Sequence, residues 1–302
     1  MRKRILVLAL MPVSLVLTLY ARYNLNFAEF YALKVYPVFA GAISALTSRI
    51  SFSLAELVII AALITAIVYF LVTLTKTITK KSSRYFKDFF LNIAAALSII
   101  YFLFVLFCGI NYYRNEFTYY SGLEIRESTK SELIGLCKIL ISDANEMRKD
   151  LNTGGDGTAE LLDGDYHKTA DRAKTAFDDI SKKYEILKGN YPAPKTVFFS
   201  DCMSHMRITG MFFPFTFEAN VNVSIPAYQV PSTMLHELVH LRGFMREDEA
   251  NFISYLACIN SGFEDFAYSG TTLALSYSMN AMKTMMPLQS YPKPIRRMLK
   301  MI

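Results

Sequence analysis

His236, Glu237 and His240 stand in the order His-Glu-Leu-Val-His. Residues four apart share one face of a helix, so both imidazoles can address a single metal ion. Glu237 sits beside them, placed to take a proton from a metal-bound water. Two histidines bracketing a glutamate in this way form the arrangement used for zinc-assisted hydrolysis. The expected cofactor is Zn2+, with His236 and His240 as ligands and Glu237 as the catalytic base.

A catalytic zinc normally takes three ligands from the protein. The chain has four histidines, and the other two, His167 and His205, fall outside the motif, so a carboxylate is the expected third ligand. The segment Gly243-Phe244-Met245-Arg246-Glu247-Asp248-Glu249-Ala250-Asn251 supplies candidates. Gly243 can end the first helix by taking a positive φ, after which the chain turns back toward the metal. Glu247 falls in the first turn of the next helix and is the preferred ligand; Glu249 is the alternative. Acidic residues in a first turn also suit the helix dipole, which accounts for Asp248. Asn251 falls one turn beyond Glu247 on the same face, where it can hydrogen-bond a ligand histidine from behind the metal.

Two known patterns compete for this segment. The metzincin pattern HExxHxxGxxH matches through Gly243 but puts Arg246 where the third histidine belongs, and arginine cannot ligate. The gluzincin ExxxD or ExxAD pattern resembles Glu247 to Asn251, with asparagine for the final aspartate. HELVH followed by GFMREDEANFISYL, behind apolar N-terminal runs and Asn111-Tyr112-Tyr113-Arg114, resembles an uncharacterised family of bacterial multi-span membrane proteins carrying a zincin motif. The resemblance covers most of the chain up to about residue 270. It is similar, more distantly, to membrane gluzincins such as the prenyl-protein endopeptidases and antirepressor-type sensors. What it implies is a gluzincin-like zinc metallopeptidase.

These residues need a scaffold, and composition says which kind. The chain has 302 residues, 53% of them hydrophobic, and a mean hydropathy of +0.26. That is too apolar for an ordinary soluble domain and implies a membrane protein with a soluble part. Three apolar runs, Ile5 to Tyr20, Leu54 to Leu74 and Phe89 to Ile110, dominate the first 113 residues. The last two have the length of a bilayer crossing. The first is shorter and follows Arg2-Lys3-Arg4; with no small-x-small cleavage site after it, it reads as a retained anchor rather than a signal peptide. Residues 1–113 are therefore expected to form a membrane domain of three transmembrane helices (about 5–21, 54–75 and 89–111). The segment from Val35 to Leu54, half-apolar and holding Pro37, is expected to lie along the outer interface or pack on the soluble part.

Positive charge marks the cytoplasmic side. Arg2, Lys3 and Arg4 precede the first run, and Lys76, Lys80, Lys81, Arg84 and Lys87 connect the second and third. The loop between the first and second runs is poorer, with Arg22, Lys34 and Arg49. The N-terminus is thus expected in the cytoplasm of a multi-pass cell-membrane protein, and residues 114–302 outside it. The net charge of +6 follows from this orientation, and no nucleic-acid partner is expected. The four cysteines, Cys108, Cys137, Cys202 and Cys258, show no metal-ligand spacing and read as buried thiols.

The expected class is α+β: the three-helix membrane bundle, then a mostly helical, zincin-like extracytoplasmic domain with a small sheet. Helices are expected over about 128–151, with Leu133, Leu136, Cys137, Leu140 and Ala144 on one side, and over about 159–187, separated by a Gly-rich break. Residues 196–200 and 211–225 read as strands. Pro231-Ser232 opens the HExxH helix, and another helix covers about 246–261. The tail from Met279 is basic and Met-rich. Asn220, Val221 and Asn222 lie in a stretch that is either a core strand or an edge that pairs with an extended peptide substrate. A second donor for the oxyanion could be Tyr255, Tyr268, Tyr277 or His205, with none standing out. The expected function is a membrane-anchored zinc metallopeptidase hydrolysing a peptide or protein; the alternative is a catalytically silent metal- or peptide-binding membrane sensor or scaffold.

Overall fold

The computed structural model describes residues 2–155 and 157–285; the basic stretch Lys293 to Lys300 lies outside them. Four helical runs among the described residues are long and apolar enough to cross a membrane: Arg4–Tyr23, Leu25–Thr47, Leu54–Lys80 and Arg84–Phe107. The first comprises α1 (Arg2–Leu8) and α2 (Leu10–Tyr23), interrupted just ahead of Pro12, which has no N–H to continue the helical ladder. In α5 (Leu54–Lys80), Ser53 opens the helix by accepting the Glu56 N–H at 3.1 Å. Leu57, Ile64, Leu71 and Ile78 stay exposed along one side of α5, an apolar surface suited to lipid. Together with α6 (Arg84–Phe107), these helices run between two ends. At one end Arg4 pairs with Asp88 at 2.6 Å, among the basic residues noted above. At the other, α5 begins and α6 ends against the C-terminal part of the chain.

The second candidate run behaves differently. It comprises α3 (Leu25–Phe30), a π-helical turn (Tyr31–Val35) and α4 (Tyr36–Thr47). The π turn precedes Pro37, whose missing donor disrupts regular pairing. Near the start of this run Glu29 accepts from the Asn115 N–H and Tyr120 hydroxyl. In its middle, the Tyr36 hydroxyl lies 3.2 and 3.0 Å from the carbonyls of His240 and Leu241. At its end, the Thr47 hydroxyl donates to the Thr216 carbonyl and the Thr47 carbonyl accepts from Lys195. The run therefore contacts the C-terminal part at both ends and in between, the packing expected only from Val35 onward, and its length and hydropathy would also permit a span.

That C-terminal part contains α7 (Phe117–Ser121), α8 (Lys130–Met147), α9 (Tyr166–Lys183), α10 (Ser200–His205), α11 (Val230–Leu241), α12 (Glu247–Ile259) and α13 (Glu264–Met285). Its sheet has three strands, β1 (Lys195–Thr196), β2 (Gly210–Phe213) and β3 (Glu218–Val221), in the order β1-β3-β2. β1 runs parallel to β3 and β2 antiparallel. Helix α11 is central: Met234, Leu235, Leu238 and Val239 are fully buried, between the sheet and α9, α12 and α13. One cluster joins Ala21, Tyr31, Tyr36 and Val105 to Phe217, Met234 and Phe244, so the core is continuous across position 113.

Local expectations mostly meet their elements. Helix α8 buries Leu133, Cys137, Leu140 and Ala144 but leaves Leu136 exposed. Helix α9 starts later than expected because Asp165 caps it, accepting from the His167 N–H at 2.7 Å. Cys202, expected to be buried, is exposed on α10, while Cys108, Cys137 and Cys258 are buried. Helix α13 had no counterpart in the sequence reading. Its buried face includes Ser269, Gly270 and Thr271, small and polar residues that mask the apolar period. Gly270 is needed there, since a Cβ on it would lie 2.4 Å from the Cys258 Cβ.

Candidate metal centre

The four-residue spacing in α11 puts His236 and His240 on one face, their Nε2 atoms 3.0 Å apart. After His240 the helix stops in a Schellman turn: the Gly243 N–H reaches the His240 carbonyl at 2.8 Å and the Phe244 N–H the Val239 carbonyl at 3.3 Å. Gly243 takes φ +91°, as its position requires. The chain reverses, α12 begins, and its first residue, Glu247, turns to the histidines. One carboxylate oxygen lies 3.2 Å from His236 Nε2 and the other 3.5 Å from His240 Nε2.

The other face of each ring fixes its tautomer. His240 Nδ1 lies 2.8 Å from the Phe244 carbonyl, which only accepts, so Nδ1 carries the hydrogen. His236 Nδ1 lies 3.0 Å from Asn251 Oδ1, while Asn251 Nδ2 donates to the Tyr277 hydroxyl at 2.7 Å. With both rings neutral, the Nε2 lone pairs and the Glu247 carboxylate converge on one point, where a bound cation or a proton relieves their repulsion. Ligand atoms about 2.1 Å from a tetrahedral zinc stand about 3.4 Å apart; the contacts here are 3.0, 3.2 and 3.5 Å. The residues fit such an ion. His236 and His240 are largely buried and Glu247 is 74% exposed, so the site opens on the carboxylate side.

Of the expected ligands, the structure brings Glu247 to the histidines and takes Glu249 elsewhere. Glu249 accepts from the Phe117 N–H at 2.6 Å and from Arg246 Nε at 2.7 Å. Arg246, at the metzincin ligand position, faces backbone carbonyls of Tyr112 and Arg114. Asn251 stands behind His236 as its spacing predicts. His167 and His205 are absent from this cluster. Of the four oxyanion candidates, Tyr277 is tied to the site through Asn251.

Glu237 is buried at the side of the cluster. Burial pushes its carboxyl above the usual carboxylate range, against the pull of the two histidines and of the Phe212 N–H. For His240 burial pulls the other way, but Glu247 and Glu237 outweigh it and hold the imidazole above its ordinary value. The imidazoles of His236 and His240, whenever they are protonated, hold the Glu247 carboxyl well below the usual carboxylate range.

Asn220, Val221 and Asn222 do not form a substrate strand. Asn220 and Val221 belong to β3, paired on both sides by β1 and β2, Asn222 follows directly after it, and their buried side chains are spent internally. The Asn220 carboxamide oxygen accepts from Ser53 Oγ at 2.6 Å, and Asn222 Nδ2 donates to the Ser204 hydroxyl and the Ile208 carbonyl. The open edge belongs to β2. The Asn222 N–H meets the Thr209 carbonyl, and with Gly210 opposite Val221 this register turns the backbone groups of Gly210 and Phe212 away from β3, the Phe212 N–H onto Glu237.

Three contributors had no sequence signal. Gly210 lies against Glu237: a Cβ there would sit 2.5 Å from Glu237 Oε1. Tyr36 covers the His240 and Leu241 carbonyls at the end of α11, the first of which it shares with the Gly243 N–H. Phe244 serves through its backbone, while its ring carries the buried Arg114 guanidinium at 4.1 Å, a cation–π contact that steadies the turn.

A family model described as "Protein of unknown function (DUF3810)" matches residues 31–298. The chain belongs to this family. The region matched to DUF3810 includes His236, Glu237, His240, Glu247 and Asn251, together with Tyr36 and Gly210. No curated protein and no solved structure matches the chain.

Proposed function

We propose that this DUF3810 member is a membrane-anchored, zinc-dependent metallopeptidase, a gluzincin-like zincin whose site faces away from the cytoplasm. The observation that carries this reading is the convergence of His236 Nε2, His240 Nε2 and the Glu247 carboxylate, with both Nδ1 hydrogens directed to acceptors behind them. Orientation rests on charge: the end of the helices remote from this cluster holds Arg4, Lys80, Lys81, Arg84 and Lys87, and basic residues mark the cytoplasmic side. Helices α2, α5 and α6 are the three crossings, and the run from Leu25 to Thr47 lies at the outer interface.

Zinc bound by these residues supplies a Lewis acid for a scissile carbonyl and makes water more acidic. The protein does the rest. His236, His240 and Glu247 hold the ion, and Asn251 and the Phe244 carbonyl keep the rings aimed. Glu237 takes a proton from water and delivers it to the leaving amine. The outward backbone groups of Gly210 and the Phe212 carbonyl pair with an extended peptide, since a free strand edge accepts another strand.

Metal analysis of the purified full-length chain, and peptide hydrolysis by wild type and Glu237→Gln, test this reading. We expect bound zinc in both proteins and a loss of hydrolysis of about 10²–10⁴-fold in the variant, the usual contribution of a positioned base. Equal hydrolysis by the two would remove Glu237 from the chemistry. Zinc without hydrolysis in wild type would leave a metal-binding sensor or scaffold. A reporter fused after Arg114 should be active outside the cytoplasm; activity only inside would refute the orientation.

A further inference from the structure

The metal centre is built directly on the ends of the membrane helices. Met245, in the turn between ligands, lies with its sulfur 3.6 Å from the Cys108 sulfur, next to the last residue of α6. Phe107 packs on Phe39 and Phe217 at 5.4 and 5.3 Å between ring centroids. The sheet is fastened to the first turn of α5: the Glu218 carboxylate accepts from the Leu54 and Ala55 N–H groups and pairs with buried Lys195. No linker separates the site from the helices.

The same end carries an apolar fringe. Phe52 is 54% exposed, just before α5, and Phe198 and Phe199 are 86% and 49% exposed. The backbone N–H groups of Phe198 and Phe199 are held at 3.0 and 2.7 Å by Glu56 in the first turn of α5, so these rings stand where that helix enters the bilayer. The free edge leads there too. β2 starts at Gly210, against Glu237, and ends at Phe213, whose ring meets Phe215 at 5.2 Å. The next residue but two, Thr216, is bonded to Thr47 at the end of α4. Three residue steps along a strand cover about 10 Å, so a chain paired with β2 passes from Glu237 to the end of the strand beside the Thr216–Thr47 contact within about that distance.

Resting on the peptidase reading, we infer that the substrates are polypeptides tethered in the same bilayer, cut a few residues from the membrane surface. The fringe seats in the lipid interface, continuous with the exposed apolar side of α5. A freely diffusing peptide would reach the same edge only by lying against the membrane.

The chain contains no tryptophan, so a single one reports its own depth. In proteoliposomes holding lipids brominated near the head group, Phe198→Trp should be quenched at least three times more strongly than Ile139→Trp on α8, which packs against α13 away from the membrane helices. Equal quenching overturns the seat and the inference with it. The second measurement is the position of cutting. The zinc-loaded full-length protein in liposomes is given an acylated peptide of about twenty residues with a repeating sequence, and the same peptide without the acyl chain. Cuts clustered in the residues nearest the lipid anchor are expected. Cuts spread evenly along the anchored peptide overturn this inference while leaving the peptidase reading intact. No cut in either peptide overturns the peptidase reading itself.

Discussion

Gly210→Ala is the sharpest test of how the base is held, because it should separate hydrolysis from metal binding. The added Cβ would sit 2.5 Å from Glu237 Oε1, 2.9 Å from Glu237 Cδ and 2.8 Å from Thr233 Cγ2. Ordinary contact begins near 3.4 Å, so the carboxyl or the strand must give by about 0.9 Å, the difference between 3.4 and 2.5. Glu237 is enclosed, and Thr233 blocks the neighbouring direction, so the carboxyl itself shifts or β2 lifts away from it. A misplacement of about 1 Å at a reacting group costs on the order of 10²-fold in rate. Overpacking of this kind also costs about 1–3 kcal/mol of stability, at the lower end here because β2 is an edge strand. No metal ligand is touched. The assay is steady-state peptide hydrolysis beside zinc content and a thermal melt on the same preparation. The expected result is kcat reduced about 100-fold with zinc content unchanged. Wild-type turnover in Gly210→Ala would refute the placement of Glu237 as base, and loss of zinc would show that the strand supports the ligands rather than the base.

Glu247→Gln should lose zinc, whereas Glu249→Gln should keep it and lower the melting temperature, having weakened two charge-assisted hydrogen bonds worth about 2 kcal/mol each; zinc lost from Glu249→Gln alone would reverse the assignment. Asn251→Leu leaves the His236 Nδ1 hydrogen without its acceptor and should weaken zinc binding about 10–100-fold in a chelator competition; unchanged affinity would dismiss its supporting role. Tyr36→Phe strips the buried carbonyls of His240 and Leu241 of their hydroxyl and should cost about 1–3 kcal/mol in a melt of the zinc-free protein; an unaltered melt would mean that water or the turn itself satisfies them.

The ligand set was legible because every part of it is local. His236, His240, Gly243, Glu247 and Asn251 fall within one helix, one turn and the next helix, where residue spacing alone fixes which side chains meet. The partners that tune the site come from elsewhere in the chain or from the backbone. Tyr36 is 204 residues from the carbonyl it covers, and Phe244 contributes an oxygen every residue possesses. The strand from Asn220 left two readings open, a core strand or a substrate edge, and the structure makes it the central strand. Polar residues alternating with valines suggest one wet face, yet both asparagines are buried and satisfied by Ser53, Met211, Ser204 and Ile208. Hydropathy likewise could not decide the run from Leu25 to Thr47. Its apolar content suits both a crossing and a helix lying flat, and the contacts of Glu29, Tyr36 and Thr47 with the C-terminal part have no signal in hydropathy.

Tyr36 braces the last turn of the ligand helix, and with Asn111 it closes on the glycine that follows. For this protein a detergent is therefore not a neutral handling reagent. A micelle that lets α3, α4 or the end of α6 splay would slacken the grip on the ion from below, without touching a single coordinating atom. Preparations that look monodisperse yet carry no metal would then report on the solubilising agent rather than on the polypeptide.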